Sequence, residues 1–331
     1  MLIVVALVGL ILGRIAAGWA SVVLEGMNSG GLLACPACGN NVSRFQRWCS
    51  PLAVRCSCGN RPVRWHQASA VCLSLLFVVF AWTLLPPLDA QNITEVRPSS
   101  MPATRLPFHL LLIFLLWVAT LTDLLDYVIP DEVTMGGSVL AVILATLSGE
   151  LQMVHIWVNW DLAIEGIRGP WLPEWMDHHR HLHGFAWSIT GLLTGGSLTW
   201  LLRWLSGRIL GQPSLGLGDV TLMMLIGAFL GWQSTLCVLA MAPMTGAVIG
   251  LSSMLLRGKG FVAYGPYLAC SAFLVMCLWR WLWADFLTLR DIFSHWPSVL
   301  SLVGCSFGLL CVLLFGLRIF RSLPAEAVRR R

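Results

Sequence analysis

Uncharged apolar runs recur from one end of this chain to the other, each near the roughly 20 residues that a membrane-spanning helix needs. PFHLLLIFLLWVAT, residues 107–120, is the plainest of them. Inside a bilayer no water satisfies the backbone, so only helices or a closed barrel can cross it. These runs are continuous rather than alternating, which selects helices. Only 11% of the 331 residues are charged, where a soluble domain averages about 25%. The expected fold class is all-α and integral to the membrane: a polytopic helical bundle of about 8–9 transmembrane helices with a small cytoplasmic Cys-rich lobe.

Spans are expected near residues 2–24, 68–87, 107–125, 133–149, 184–202, 219–232, 234–256, 267–284 and 298–318. The first run lacks a basic leader and a small-residue cleavage site, so it reads as a retained span and not a signal peptide. The domain expectation is a first span over 1–25 and a Cys-rich, zinc-ribbon-like lobe over 26–67. A membrane core follows over 68–285 with an extracytoplasmic insertion at about 150–183, then an extra span and basic tail over 286–331.

Cytoplasmic loops carry an excess of Lys and Arg. Arg44, Arg47, Arg55, Arg61 and Arg64 follow the first span, Arg203 and Arg208 the fifth, Arg257 and Lys259 the seventh, and Arg318, Arg321 and Arg329 to Arg331 the ninth. All fall on one side if the N-terminus is outside. LTDLLDYVIPD (121–131), SLGLGDVTL (214–222) and the cysteine-rich loop then share the cytoplasmic face.

Ionisable groups at a membrane boundary are costly and usually face the bundle interior or a water-filled cavity. Asp123 and Asp126 lie three residues apart on one helical face. Asp131 follows Pro130 and is open to a simple capping role. Asp219 follows Gly216-Leu217-Gly218, and glycines beside an acid allow another chain to approach closely. Two acids from different helices at one depth suggest a dyad that shares a proton, one activating water while the other protonates the scissile amide. The chain holds neither GxSxG nor HExxH.

Cys35, Cys38, Cys56 and Cys58 come as CPAC and CSC, each followed by glycine. Cytoplasmic thiols stay reduced, so this spacing points to a structural zinc before disulfides, with Cys49 able to replace one ligand. The other six cysteines lie singly in apolar segments and read as small buried hydrophobes.

Together these residues resemble the type IV prepilin leader peptidase family, membrane aspartic proteases with a GxGD motif. LTDLLDYVIPD is similar to the family's first catalytic segment and GLGDVTL to its second. YGPYLA (264–269) is similar to its GPY stretch, and the paired cysteines also fit. The resemblance implies catalytic roles for Asp123 and Asp219, with Gly216, Gly218, Asp126 and Asp131 as site support. It implies a bacterial inner (cytoplasmic) membrane enzyme that acts on prepilin or pseudopilin precursors of type IV pilus and type II secretion systems. Cleavage would follow a glycine at the cytoplasmic boundary. Partners would be those precursors and membrane lipids, with no nucleic acid. Many members also N-methylate the new N-terminus with S-adenosylmethionine. This chain departs from the pattern in the first span, where GLILGRIAAGW stands, and at Thr221, where the family commonly has lysine. Those departures bear more on methylation than on proteolysis. The alternatives are a catalytically silent pilin-binding relative, a methyltransferase alone, or a proton-coupled transporter, which would show internal repeats and a midplane site.

DHHRHLHG (177–184) spaces His179 and His183 for a metal on a helix, but reads better as an interfacial histidine-rich loop. Trp171, Trp175, Trp279 and Trp281 are expected interface anchors. Gly136-Gly137, Gly195-Gly196 and the Gly246/Gly250 pair are expected to allow close helix packing.

Overall fold

The computed structural model describes residues 1–26, 64–84, 101–157, 174–211, 215–257, 263–285 and 289–322. Its long helices are α1 (Leu2–Gly26), α2 (Arg64–Leu84), α3 (Met101–Asp126), α4 (Asp131–Ser148), α6 (Arg180–Leu210), α7 (Leu217–Arg257), α8 (Gly265–Arg280) and α10 (Trp296–Ser322). Two short helices, α5 (Glu174–His178) and α9 (Leu289–Ser294), precede α6 and α10. No strand occurs among the described residues. The chain is an all-α, multi-pass membrane protein.

Among the described residues, seven helices are long and apolar enough to cross a membrane: α1, α2, α3, α4, α7, α8 and α10. The difference from the nine expected spans has two physical sources. Helix α6 is not among the seven, although it is 31 residues long and packed into the bundle. Helix α7 contains a break, because Gly231 has φ 78° and ψ 171° and interrupts the helical path. A Cβ at Gly195 of α6 would lie against both the Met223 carbonyl and the Thr235 methyl, 3.3 Å away. A straight helix would hold residues 223 and 235 about 18 Å apart, at 1.5 Å per residue. The chain therefore folds back at Gly231, giving an outbound arm (217–230) and a return arm (232–257). These arms match the two spans expected on either side of that point.

Small residues set the helix spacing, since lipid supplies no hydrophobic drive between helices and close packing must. Gly9 and Gly13 of α1 face the Ser74 and Ala70 backbone of α2, and Ser69 Oγ donates to the Gly13 carbonyl at 2.7 Å. Gly191 of α6 lies against Gly227 of α7 so closely that neither position has room for a Cβ. Ser188 Oγ donates to the Ala228 carbonyl at 2.7 Å in the same seam. Gly137 admits Leu115 and Leu225, whereas Gly136 faces open space. Gly246 and Gly250 make room for the Tyr267 ring of α8 and not for another backbone. Helix α10 is peripheral: 6% of its apolar window is buried, against 78% for α7.

At the end of the bundle away from residues 123 and 219, a short segment (151–157) is tied to the break in α7. Trp232 Nε1 donates to the Ile156 carbonyl at 2.7 Å, and Gln233 Nε2 to the His155 carbonyl at 2.9 Å. Trp175 and Trp281 are exposed as anchors should be, but Trp279 is buried and stacks on Trp283 at 5.1 Å. Trp171 lies outside the described residues.

Candidate active site

Asp123 lies in the last turn of α3 and is 6% exposed. The helix stops three residues later, where Tyr127 takes φ 57°, a left-handed conformation that a non-glycine residue adopts at a cost. Ile129 stands before Pro130 and is biased towards extended backbone, so α4 begins afresh at Asp131. Across 142 residues of sequence, the Gly265 N–H donates to Asp123 Oδ2 at 3.0 Å. Gly265 is the first residue of α8, so the carboxylate takes one of the N–H groups that a helix start leaves unpaired.

Asp219 is also 6% exposed and sits in the first turn of α7, two residues beyond its first residue, Leu217. Its Oδ2 accepts the Gly216 N–H at 2.8 Å. That is the back-bond of a capping box, in which an acid in the first turn reaches the N–H just before the helix. Asp219 is therefore not itself the N-cap residue. Gly218 presses on Ile129, where a Cβ would stand 3.0 Å from the Ile129 Cβ. A Cβ on Gly265 would stand 3.1 Å from Ile129 Cδ1. The single Ile129 side chain thus packs between the supports of the two acids.

Asp123 and Asp219 are close enough for the charge of Asp219 to act on Asp123. In each carboxylate Oδ2 is held by a glycine N–H, and Oδ1 takes no hydrogen bond among the described residues. Tyr264 lies beside Asp219. Burial pushes its phenol up to about 12, with the Asp219 charge adding to the effect, so it stays protonated. Two buried carboxylates near enough to feel each other's charge can share a proton and serve as acid and base on either side of one bond.

The other expected site residues occupy different surroundings. Asp126 is half-buried at the end of α3. Asp131 is exposed as the first residue of α4, whose N-cap position is held by Pro130. Cys35, Cys38, Cys56 and Cys58 lie outside the described residues. Of the remaining cysteines, Cys72 and Cys305 are exposed and Cys237, Cys270, Cys277 and Cys311 are half-buried, so none is the fully buried hydrophobe expected of it.

His183 pins the 151–157 segment. Its Nε2 accepts the Ile156 N–H at 3.2 Å. His179 occupies the N-cap position of α6, where φ is −117°. Among the described residues no three His, Cys, Asp or Glu side chains gather as a metal site.

Two contributors were not singled out from the sequence as site residues. Gly265 holds Asp123, and its only sequence signal was the YGPY stretch. Arg203 was read as a charge in a cytoplasmic loop. It lies instead inside α6, which runs on to Leu210, and Nη1 donates to the Leu215 carbonyl.

Residues 171–251 match the type IV leader peptidase family. That stretch includes Asp219 and its glycines but not Asp123. A prepilin leader peptidase/N-methyltransferase of Aeromonas salmonicida is 28% identical over 185 residues, covering 52% of this chain and 58% of that protein. One from Aeromonas hydrophila is 32% identical over 104 residues, covering 30% and 34%. One from Pseudomonas putida is 25% identical over 263 residues, covering 76% and 72%. The chain thus spans 58% of the length of the Aeromonas salmonicida protein. No solved structure matches.

Proposed function

We propose that this chain is a membrane-embedded aspartic endopeptidase of the type IV leader peptidase family, which its residues 171–251 match, acting on prepilin or pseudopilin precursors. The observation that carries the reading is the pair of buried carboxylates, Asp123 from α3 and Asp219 from α7, near enough for the charge of one to act on the other. A water molecule between the Oδ1 atoms would lose its proton to one carboxylate as it attacks the scissile carbonyl. The other carboxylate would protonate the departing amine. No covalent intermediate is needed. The Gly216 and Gly265 N–H groups orient the two acids, and Asp126 and Asp131 belong to the approach to the site. The basic-residue bias of the loops supports a cytoplasmic position for this end, where the boundary between a basic leader and an apolar helix would lie.

A structural zinc on Cys35, Cys38, Cys56 and Cys58 and the N-terminus-outside topology belong to the same proposal. The relatives' names also carry an N-methyltransferase activity. A second reading adds that step, with S-adenosylmethionine as methyl donor.

The test is precursor cleavage in membranes by the wild type and by Asp123→Asn and Asp219→Asn, with the amount of membrane-bound protein measured alongside. General acid–base groups contribute about 10²–10⁴-fold, so each variant should lose at least about a hundredfold in rate. Cleavage that survives either substitution would sink the dyad.

A further inference from the structure

We infer that Arg203 is a positioning residue for Asp219, acting through the single peptide group that joins Leu215 to Gly216. The inference rests on the peptidase reading above. Arg203 Nη1 donates to the Leu215 carbonyl. The N–H of that same amide, belonging to Gly216, donates to Asp219 Oδ2 at 2.8 Å. A peptide unit is planar, so fixing its carbonyl fixes the direction of its N–H. A cation on the carbonyl also polarises the amide and strengthens its N–H as a donor. The guanidinium, the amide and the carboxylate therefore form one relay from α6 to the start of α7.

Two simpler roles do not fit Arg203. Arg203 does not cap its own helix, because α6 ends at Gly211, whose left-handed turn returns its own N–H to the Gly207 carbonyl. Leu215 lies beyond that cap, 12 residues from Arg203. Nor is Arg203 only an interfacial charge like its neighbour Arg208, which lies over the Trp204 ring at 5.6 Å. Arg203 is half-buried, and its charge reaches Asp219. Within the motif itself, Thr221 contributes no cation and turns its hydroxyl to the Gly218 carbonyl at 3.1 Å. Among the described residues, Asp123 and the protonated Tyr264 also feel the charge of Asp219. Arg203 thus brings a positive charge to bear on Asp219.

The test compares full-length wild type, Arg203→Gln, Arg203→Lys, Arg208→Gln and Asp219→Asn in membranes on one precursor, reading kcat, KM and the pH–rate profile. Losing a charged hydrogen bond at the reacting group is expected to lower kcat of R203Q by about ten- to a hundredfold. KM should stay within about twofold, because the interaction is made to the acid and not to the substrate. The acidic limb of the R203Q profile should move to higher pH by about one unit, since a carboxylate that loses a nearby cation holds its proton more tightly. R203K keeps the charge but not the planar fork, so its limb should match the wild type and its kcat should fall between the two. R208Q should behave as the wild type.

Wild-type kcat in R203Q overturns the inference. So do equal losses in R203Q and R203K with an unmoved pH profile, which would mark a merely structural role. If R203Q does not accumulate in the membrane, R203K decides, and wild-type kcat or a change confined to KM overturns the inference. Failure of the wild type to cleave, or cleavage by D219N, counts against the peptidase reading and takes the inference with it. A dead D219N beside an unimpaired R203Q counts against the inference alone.

Discussion

Gly265→Ala separates catalysis from folding more sharply than any substitution of an aspartate. Gly265 donates its N–H to Asp123, and an added Cβ would stand 2.5 Å from Asp123 Oδ2. To restore a van der Waals separation of 3.4 Å, the carboxylate must retreat by about 0.9 Å. The second neighbour, Ile129 Cδ1 at 3.1 Å, needs to give only a few tenths of an ångström. Both obstacles are tips of movable side chains, so the fold should survive. The site should not. A displacement near 1 Å costs about a hundredfold where geometry matters, and the weakened charged hydrogen bond, about 1.5–3 kcal/mol, gives a loss of similar size. The expected result is about a hundredfold lower kcat, with membrane-bound protein and thermal stability near wild type. The assay is precursor cleavage under saturating substrate, paired with a thermal melt in detergent. A G265A protein that cleaves at the wild-type rate would refute the argument that this N–H sets the position of Asp123.

Gly191→Ala should act in the opposite way, because its Cβ would meet the backbone of Gly227, which cannot step aside. Overpacking of this kind costs about 1–3 kcal/mol, so the melting temperature should fall, and an unchanged melt would refute the tight seam. The cysteine lobe should carry about one zinc per chain by elemental analysis of purified protein. Cys35→Ser should abolish that zinc, and a metal-free wild type would remove the zinc assignment.

The two acids were legible because a charge in a 57% hydrophobic chain stands out, and because both fell on the same predicted face. The break at Gly231 was legible as the boundary between two apolar runs. What could not be read was whatever depended on backbone partners far away in sequence. Gly265 meets Asp123 across 142 residues, and nothing in YGPY says that its N–H points at a carboxylate. His183 looked like a metal ligand or a loop residue, yet its partner is the Ile156 N–H, which leaves no trace in composition. Arg203 was hidden by the rule that identified it. The positive-inside bias explains a basic residue so readily that its inward contact with Leu215 was not sought.

The fold-back at Gly231 has a mechanical meaning. Its outbound arm carries Asp219, 12 residues away, a lever of about 18 Å at 1.5 Å per residue. Its return arm carries Thr245, whose hydroxyl donates to the Tyr267 carbonyl of α8 at 3.2 Å, two residues beyond the Gly265 that holds Asp123. One corner therefore carries both jaws of the site. Opening that corner by about 3° would move Asp219 by about 1 Å, a loss that catalysis does not tolerate. The glycine seam along α6 is what stiffens the lever. On the proposed dyad, the tolerances of the chemistry would be set at the far end of the molecule, by how little a single glycine corner is allowed to flex.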